Sequence, residues 1–365
     1  MPAVEAAVLV AGSTAPWAVL YMPRLMIEQA GRDAYWAALP LTLGSLLLGY
    51  VMVLLYRRFP GRSLVGVACE VIGRLPGLVL ATLYGFALIS LAAVALRVSS
   101  EVIINVTLPR TPIPVVLASL LVVCAFNVRG GIEVMARANL ALAPFGLALP
   151  AVLLAFSVRD ISSENLKPLL ENGLAPVLRG TYVAAGFFAS STLALATVLP
   201  HLNRHDQATR TVAWGVGLTG WLGFIATFHF VGVMGPEIAA RLRFLPVEVA
   251  RFISIAEFLE RMEALAVVWG VMAAFANVSL WYYAAATTLA EVAGLGDYRP
   301  LVWPVGFLVG EGAVLFFRNV ADMIAFLRDA STPYLLLLEL AVPVGLLALS
   351  AARRGRLRGA PGSAR

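Results

Sequence analysis

The feature that most limits what this chain can become is a series of apolar runs about 20 residues long, repeated from one end to the other and bounded by charges or turn residues. At about 1.5 Å of rise per residue, a helix of that length crosses the roughly 30 Å hydrocarbon layer of a bilayer. Only 13% of the residues are charged and the mean hydropathy is +0.86, whereas soluble domains carry roughly 25% charged residues. The chain therefore reads as an all-α integral membrane protein, with no room for a soluble domain of any size.

Ten spans are predicted, near 5–28, 35–56, 77–105, 113–128, 135–157, 177–199, 211–233, 257–290, 301–317 and 333–352. They form a single transmembrane domain over 1–352, followed by a basic tail, 353–365, that reads as disordered and headgroup-bound. Ten crossings return both ends to one side of the membrane. The side holding the termini carries 14 lysines and arginines against nine on the other, so the positive-inside rule puts both termini in the cytoplasm. The first run lacks a basic n-region and contains Glu5, which favours a retained span over a cleaved signal peptide. Of the outward loops, 158–176 and 234–256 are long enough to hold structured elements. Cys69 and Cys124 have no metal-ligand or CxxC spacing and read as small buried hydrophobes.

Helices in lipid normally keep every backbone hydrogen bond, so candidate interruptions point to function. In the first span, Gly12-Ser13-Thr14-Ala15-Pro16 combines a glycine, two hydroxyls and a proline near the midplane. In the sixth, Gly186-Phe187-Phe188-Ala189-Ser190-Ser191 does much the same without a proline. First and sixth are equivalent positions if the ten helices form a five-plus-five inverted repeat, with halves at about 1–157 and 177–352. Broken helices at such positions frame the midplane site of many transporters. Small residues also mark close helix packing, and it is the coincidence of the two clusters that favours a site.

Ionisable residues inside spans are costly and call for an explanation. Arg97 and Glu101 are four apart on the third span and can pair, either as a structural staple or as a wall of the site. Glu311 and Glu339 have no obvious partner; each could bind a proton, face a wet cavity or face another protein. Asn277 and Ser279, followed by Trp281, Tyr282 and Tyr283, either line a site or bond between helices. His229, near a helix end, reads as a core or interfacial histidine. Glu260, Arg261 and Glu263 are expected as a charge cluster at the outer membrane edge. No Walker A loop, HExxH, nucleophile elbow or metal-ligand cluster is present, so no enzyme, cofactor or metal is expected.

Several short words occur in a family-like order. Ala30-Gly31-Arg32-Asp33-Ala34-Tyr35-Trp36, Phe59-Pro60 with Glu70 and Gly73, Thr111-Pro112, Gly131-Ile132-Glu133 with Arg137, Glu164-Asn165-Leu166-Lys167-Pro168 through Asn172-Gly173, and Phe258-Leu259-Glu260-Arg261-Met262-Glu263 together resemble the B-subunit family of bacterial spore germinant receptors. The family's Ser-Pro-x-Gln opening is absent. The resemblance implies the amino acid-polyamine-organocation superfamily and a receptor subunit of the spore inner membrane. It also implies an A-type membrane partner and a C-type lipoprotein partner. On this reading the ligand is a small amino acid or similar germinant. It would sit between Gly12, Ser13 and Thr14 and Gly186, Phe187, Ser190 and Ser191, walled by Arg97 and Glu101 and by Asn277 and Trp281. The alternative is a stand-alone amino acid permease coupled to a cation or proton.

Overall fold

In the computed structural model, residues 1–106, 108–242, 244–252 and 262–358 are described. They are helical almost throughout, with no β-strand among them. The helices are α1 (Ala3–Leu20), α2 (Met22–Ala30), α3 (Ala34–Arg58), α4 (Leu64–Ile72), α5 (Arg74–Val106), α6 (Ile113–Gly130), α7 (Ile132–Ser157), α8 (Ser163–Leu166) and α9 (Leu174–Val198). They continue with α10 (Ala208–Met234), α11 (Pro236–Arg241), α12 (Leu245–Phe252), α13 (Met262–Val292), α14 (Val302–Leu315), α15 (Val320–Ala325), α16 (Ser331–Leu336) and α17 (Val342–Arg358). π-helical turns at Phe326–Ala330 and Leu337–Ala341 join the last three into one segment.

Eight helices or runs of consecutive helices among the described residues are long and apolar enough to cross a membrane. The other two predicted positions hold α13, with 31 residues, and α14, with 14. The loops add short helices that apolar periodicity did not reveal. One is α4, begun by Ser63, whose hydroxyl accepts the Gly66 amide at 3.1 Å as an N-cap. The 158–176 and 234–256 loops are structured, as expected, by α8 and by α11 and α12. The tail differs from expectation, since α17 carries helix through Arg358; residues 359–365, and Glu260 and Arg261 of the expected charge cluster, lie outside the described residues.

The two helix breaks do not fall where the small-residue clusters stand. α1 runs unbroken through Gly12–Pro16, and α9 runs unbroken through Gly186–Ser191. The hydroxyls that could have replaced a missing backbone bond are turned onto their own helix: Ser13 and Thr14 donate to the Val10 carbonyl at 2.9 and 2.8 Å, and Ser190 donates to Phe187 at 2.5 Å. One proline removes a single N–H, which a helix tolerates when neighbours pack around it. The first segment is instead interrupted at Tyr21, just before Pro23 opens α2.

Loop contacts sort the helix ends into two polar rims. On one rim Tyr56 and His205 meet at 2.5 Å, Arg57 donates to Thr209 at 3.1 Å, Arg58 to the Ser350 carbonyl, Ser63 to Glu291 at 2.5 Å, and Tyr298 to the Val128 carbonyl at 2.8 Å. On the other, Arg32 donates to the Lys167 carbonyl, the Leu170 amide to Asp33 at 2.9 Å and Asn165 to the Gly232 carbonyl at 2.9 Å. Between the rims the packing is close. A Cβ added at Gly215 of α10 would stand 3.0 Å from Val10 of α1, the small-residue contact by which membrane helices approach without a hydrophobic drive.

Candidate functional site

α1 is the axis of the bundle, touching α9, α10, α13 and α7. At mid-helix it brings together part of the expected set. Asn277 of α13 donates its amide to the Ser13 carbonyl. One turn further along α1, the Trp17 indole stacks on Phe187 of α9, with ring centroids 4.8 Å apart and planes tilted by 34°. Tyr21 follows 5.9 Å from Trp17 and reaches the Val98 carbonyl of α5 at 3.5 Å. Pro16, Trp17, Ser99 and Asn277 line a cavity of about 10 Å³ here, room for about one water molecule. The helices are thus closed on one another at this crossing.

The crossing holds more hydrogen-bonding capacity than the protein itself uses. Pro16 has no N–H to offer the Gly12 carbonyl, so that acceptor loses its helical donor. The buried Trp17 Nε1 meets no protein partner there among the described residues, and Thr192 Oγ1 further along α9 and Trp281 Nε1 one turn along α13 are likewise unpartnered. Buried polar groups are rarely left so, because each costs roughly 1–3 kcal/mol unsatisfied.

Other expected residues point elsewhere. Gly12 faces α7, where an added Cβ would stand 2.6 Å from Asn139 Oδ1. It lines a second cavity of about 120 Å³, walled also by Gly146, Trp269 and Ala276. Thr14 turns to α10 and shares a 2.8 Å hydrogen bond with Thr219. Gly186 faces the last segment, since a Cβ there would stand 2.8 Å from Thr332 Cα. Arg97 and Glu101 pair at 3.0 Å, with Arg97 donating to the Ala313 carbonyl of α14 at 3.1 Å and Asn105 to Glu101 at 3.3 Å. Neither lines the cavity beside Trp17, where α5 presents Ala95, Val98 and Ser99. Ser190, Ser191 and Trp281 are buried. His229 is buried as expected and shares a 2.8 Å hydrogen bond with Ser157.

Trp17 and Tyr21 escaped the sequence reading because aromatic residues are unremarked in an apolar span. The available signal was their place immediately after Pro16 and shortly before Pro23.

The family model for spore germination protein, Spore_permease, matches residues 2–310. The chain belongs to that family, and it is a multi-pass membrane protein with a transporter-like architecture. Among individual relatives, spore germination protein KB of Bacillus subtilis (strain 168) is 27% identical over 282 residues, 76% of either chain. Spore germination protein YndE of the same organism is 22% identical over 340 residues, 92% of either chain. The fold is shared with solved structures, two of which illustrate it. One is MhsT in complex with L-phenylalanine, with a TM-score of 0.63 and 13% identity, covering 95% of this chain and 98% of that one. The other is MHP1, a nucleobase-cation-symport-1 family transporter in a closed conformation with bromovinylhydantoin bound, with a TM-score of 0.62 and 15% identity over 92% of this chain and 74% of that one.

Proposed function

We propose that this chain is the ligand-sensing membrane subunit of a spore germinant receptor, binding a small amino acid or similar zwitterion where α1 crosses α5, α9 and α13. The observation that carries the reading is the crossing itself, with Asn277 bonded to the Ser13 carbonyl, Trp17 stacked on Phe187, and the Trp17 indole N–H buried there without a partner. A zwitterion in a low-dielectric interior must find donors for its carboxylate and acceptors for its ammonium. Trp17 Nε1 and the Asn277 amide supply the first; the Gly12 and Ser13 carbonyls supply the second. The ligand opens the Trp17–Phe187 contact and favours the open form, and that population shift is the signal. MhsT, a protein of the same fold, was solved with an amino acid bound, which supports the ligand class.

Signalling requires partners, an A-type membrane subunit and a C-type lipoprotein. Glu311 supports such a cover: it is exposed on α14 beside Phe307, Leu308 and Leu315, and a carboxylate turned to hydrocarbon is costly unless protein covers it. The rest of the reading is a ten-helix inverted repeat over 1–157 and 177–352, in the spore inner membrane, with both termini cytoplasmic. The second reading, a free-standing permease coupled to a cation or proton, draws on the same fold.

The test is a thermal-shift screen of the purified full chain across amino acids and nucleosides. A ligand at 100 times its Kd stabilises the native state by about 2.7 kcal/mol. A shift that Asn277→Leu abolishes supports the site, and a shift that Asn277→Leu leaves intact moves the pocket elsewhere. Uptake of labelled amino acid by the chain alone in liposomes would favour the permease.

A further inference from the structure

Glu339 takes no part in the site above. It lies in the π-helical turn Leu337–Ala341, in the middle of the last membrane segment. The turn sends Leu337 and Leu340 outward, 63% and 44% exposed, and turns Glu339 inward to 0%. Both of its carboxyl oxygens meet no hydrogen-bond partner among the described residues. Among the described side chains, no arginine, lysine or histidine acts on it from its own segment or from α9, α16 or α17, which pack against the turn. Tyr84 of α5 lies within electrostatic range of it. The Tyr84 hydroxyl is itself buried and without a protein partner.

We infer that Glu339 is a proton-binding site, holding its proton as a neutral carboxylic acid, and that the buried Tyr84 hydroxyl, which meets no partner in this conformation, turns to donate to its carbonyl oxygen when the site is occupied. The chemistry selects a proton over a metal cation. A lone ionised carboxylate in this interior would bear a large desolvation cost that neutralisation removes, while a bound metal ion needs about six oxygen ligands, and the facing side chains offer three. The π turn supports a working site, since such turns interrupt the regular ladder and recur at functional positions. Small movements of the turn against α5 would lengthen or shorten the Tyr84 contact and so change how tightly the proton is held. Losing the proton transfers it from the carboxyl oxygen to water or Tyr84-bound water and leaves a carboxylate, so charge and atoms balance without another reactant.

The inference deepens the transporter-like reading by naming the ion, but its test needs no solute, so the two can fail separately. The full chain in nanodiscs is titrated while its infrared difference spectrum is recorded. Wild type is expected to show a protonated-carboxyl carbonyl band at neutral pH that shifts in deuterated water. Glu339→Gln is expected to lose that band while melting as wild type does, and Tyr84→Phe to shift the band upward through loss of a donor. Absence of the band from wild type, its persistence in Glu339→Gln, or a position unmoved by Tyr84→Phe each overturns the proposal. If Glu339→Gln does not fold, Tyr84→Phe, which removes a single hydroxyl, still decides. A carboxylate band that responds to sodium instead would replace the proton with a metal cation.

Discussion

Two buried carboxylates sit inside apolar helices and are treated oppositely by their surroundings. Glu101 of α5 receives Arg97 at 3.0 Å and Asn105 at 3.3 Å, and Arg97 is tied in turn to the Ala313 carbonyl. Glu339 meets no such donor among the described residues. The first carboxylate is satisfied from its own helix, by residues four positions before and after it, and serves as a staple between α5 and α14. The second finds no donor on its own segment or on any other among the described residues. A carboxylate matched by an ion pair holds a structure together, whereas one left unmatched responds to whatever proton or ion arrives.

The strongest way to break that contrast is Arg97→Leu, which strands the Glu101 charge in the interior. It should cost about 3–5 kcal/mol, read as a lower unfolding midpoint in detergent or nanodiscs, and Arg97→Leu with Glu101→Leu should restore most of it. A single variant that melts like wild type would show that the pair holds nothing together. Next in size is Gly186→Leu. Its added side chain meets Thr332 Cα and Leu335, so it should push α9 off α16 at about 1–3 kcal/mol. From the sequence, this change is expected to abolish ligand response and leave insertion intact; the α16 contact adds a loss of stability measurable without ligand. Thr14→Val removes the Thr14–Thr219 bond and should cost about 0.6 kcal/mol, the average for such bonds between membrane helices. Smallest is Glu339→Gln, which replaces a neutral acid by a neutral amide of the same shape and should change the midpoint by less than about 1 kcal/mol. A drop as large as that of Arg97→Leu would mean the two carboxylates are alike after all.

Legibility in the sequence followed how local each cause is. The apolar segments were readable because length and hydropathy belong to one stretch of chain. The Arg97–Glu101 pair was readable because its partners are one helical turn apart. The convergence of Ser13, Phe187 and Asn277 was anticipated from cluster positions alone, but the directions of Gly12, Thr14 and Gly186 were not, since facing is set by which helix arrives from elsewhere. Small residues were taken for breaks when they mark contact: Gly12 lies against Asn139, Gly186 against Thr332. The real interruption at Tyr21 needed the Pro16 and Pro23 pair to be weighed together, and only the second proline coincides with a helix start.

Helix α7 stands apart from the rest of the bundle. In its most apolar stretch 6% of residues are buried within the protein, against 69% for the segment containing α9. Pro144 and Pro150 lie inside it, and it walls both the 120 Å³ cavity beside Gly12 and a smaller one of about 60 Å³ reaching His229. Most of the surface of that stretch is therefore turned away from the other helices. Its resting angle is set by its packing on α1, α13 and α6, and a change in hydrocarbon thickness adds to that a modest cost per ångström of mismatch. A membrane that stiffens or thickens would then act on the back wall of α1 directly, making the lipid phase an input to this protein alongside any dissolved ligand.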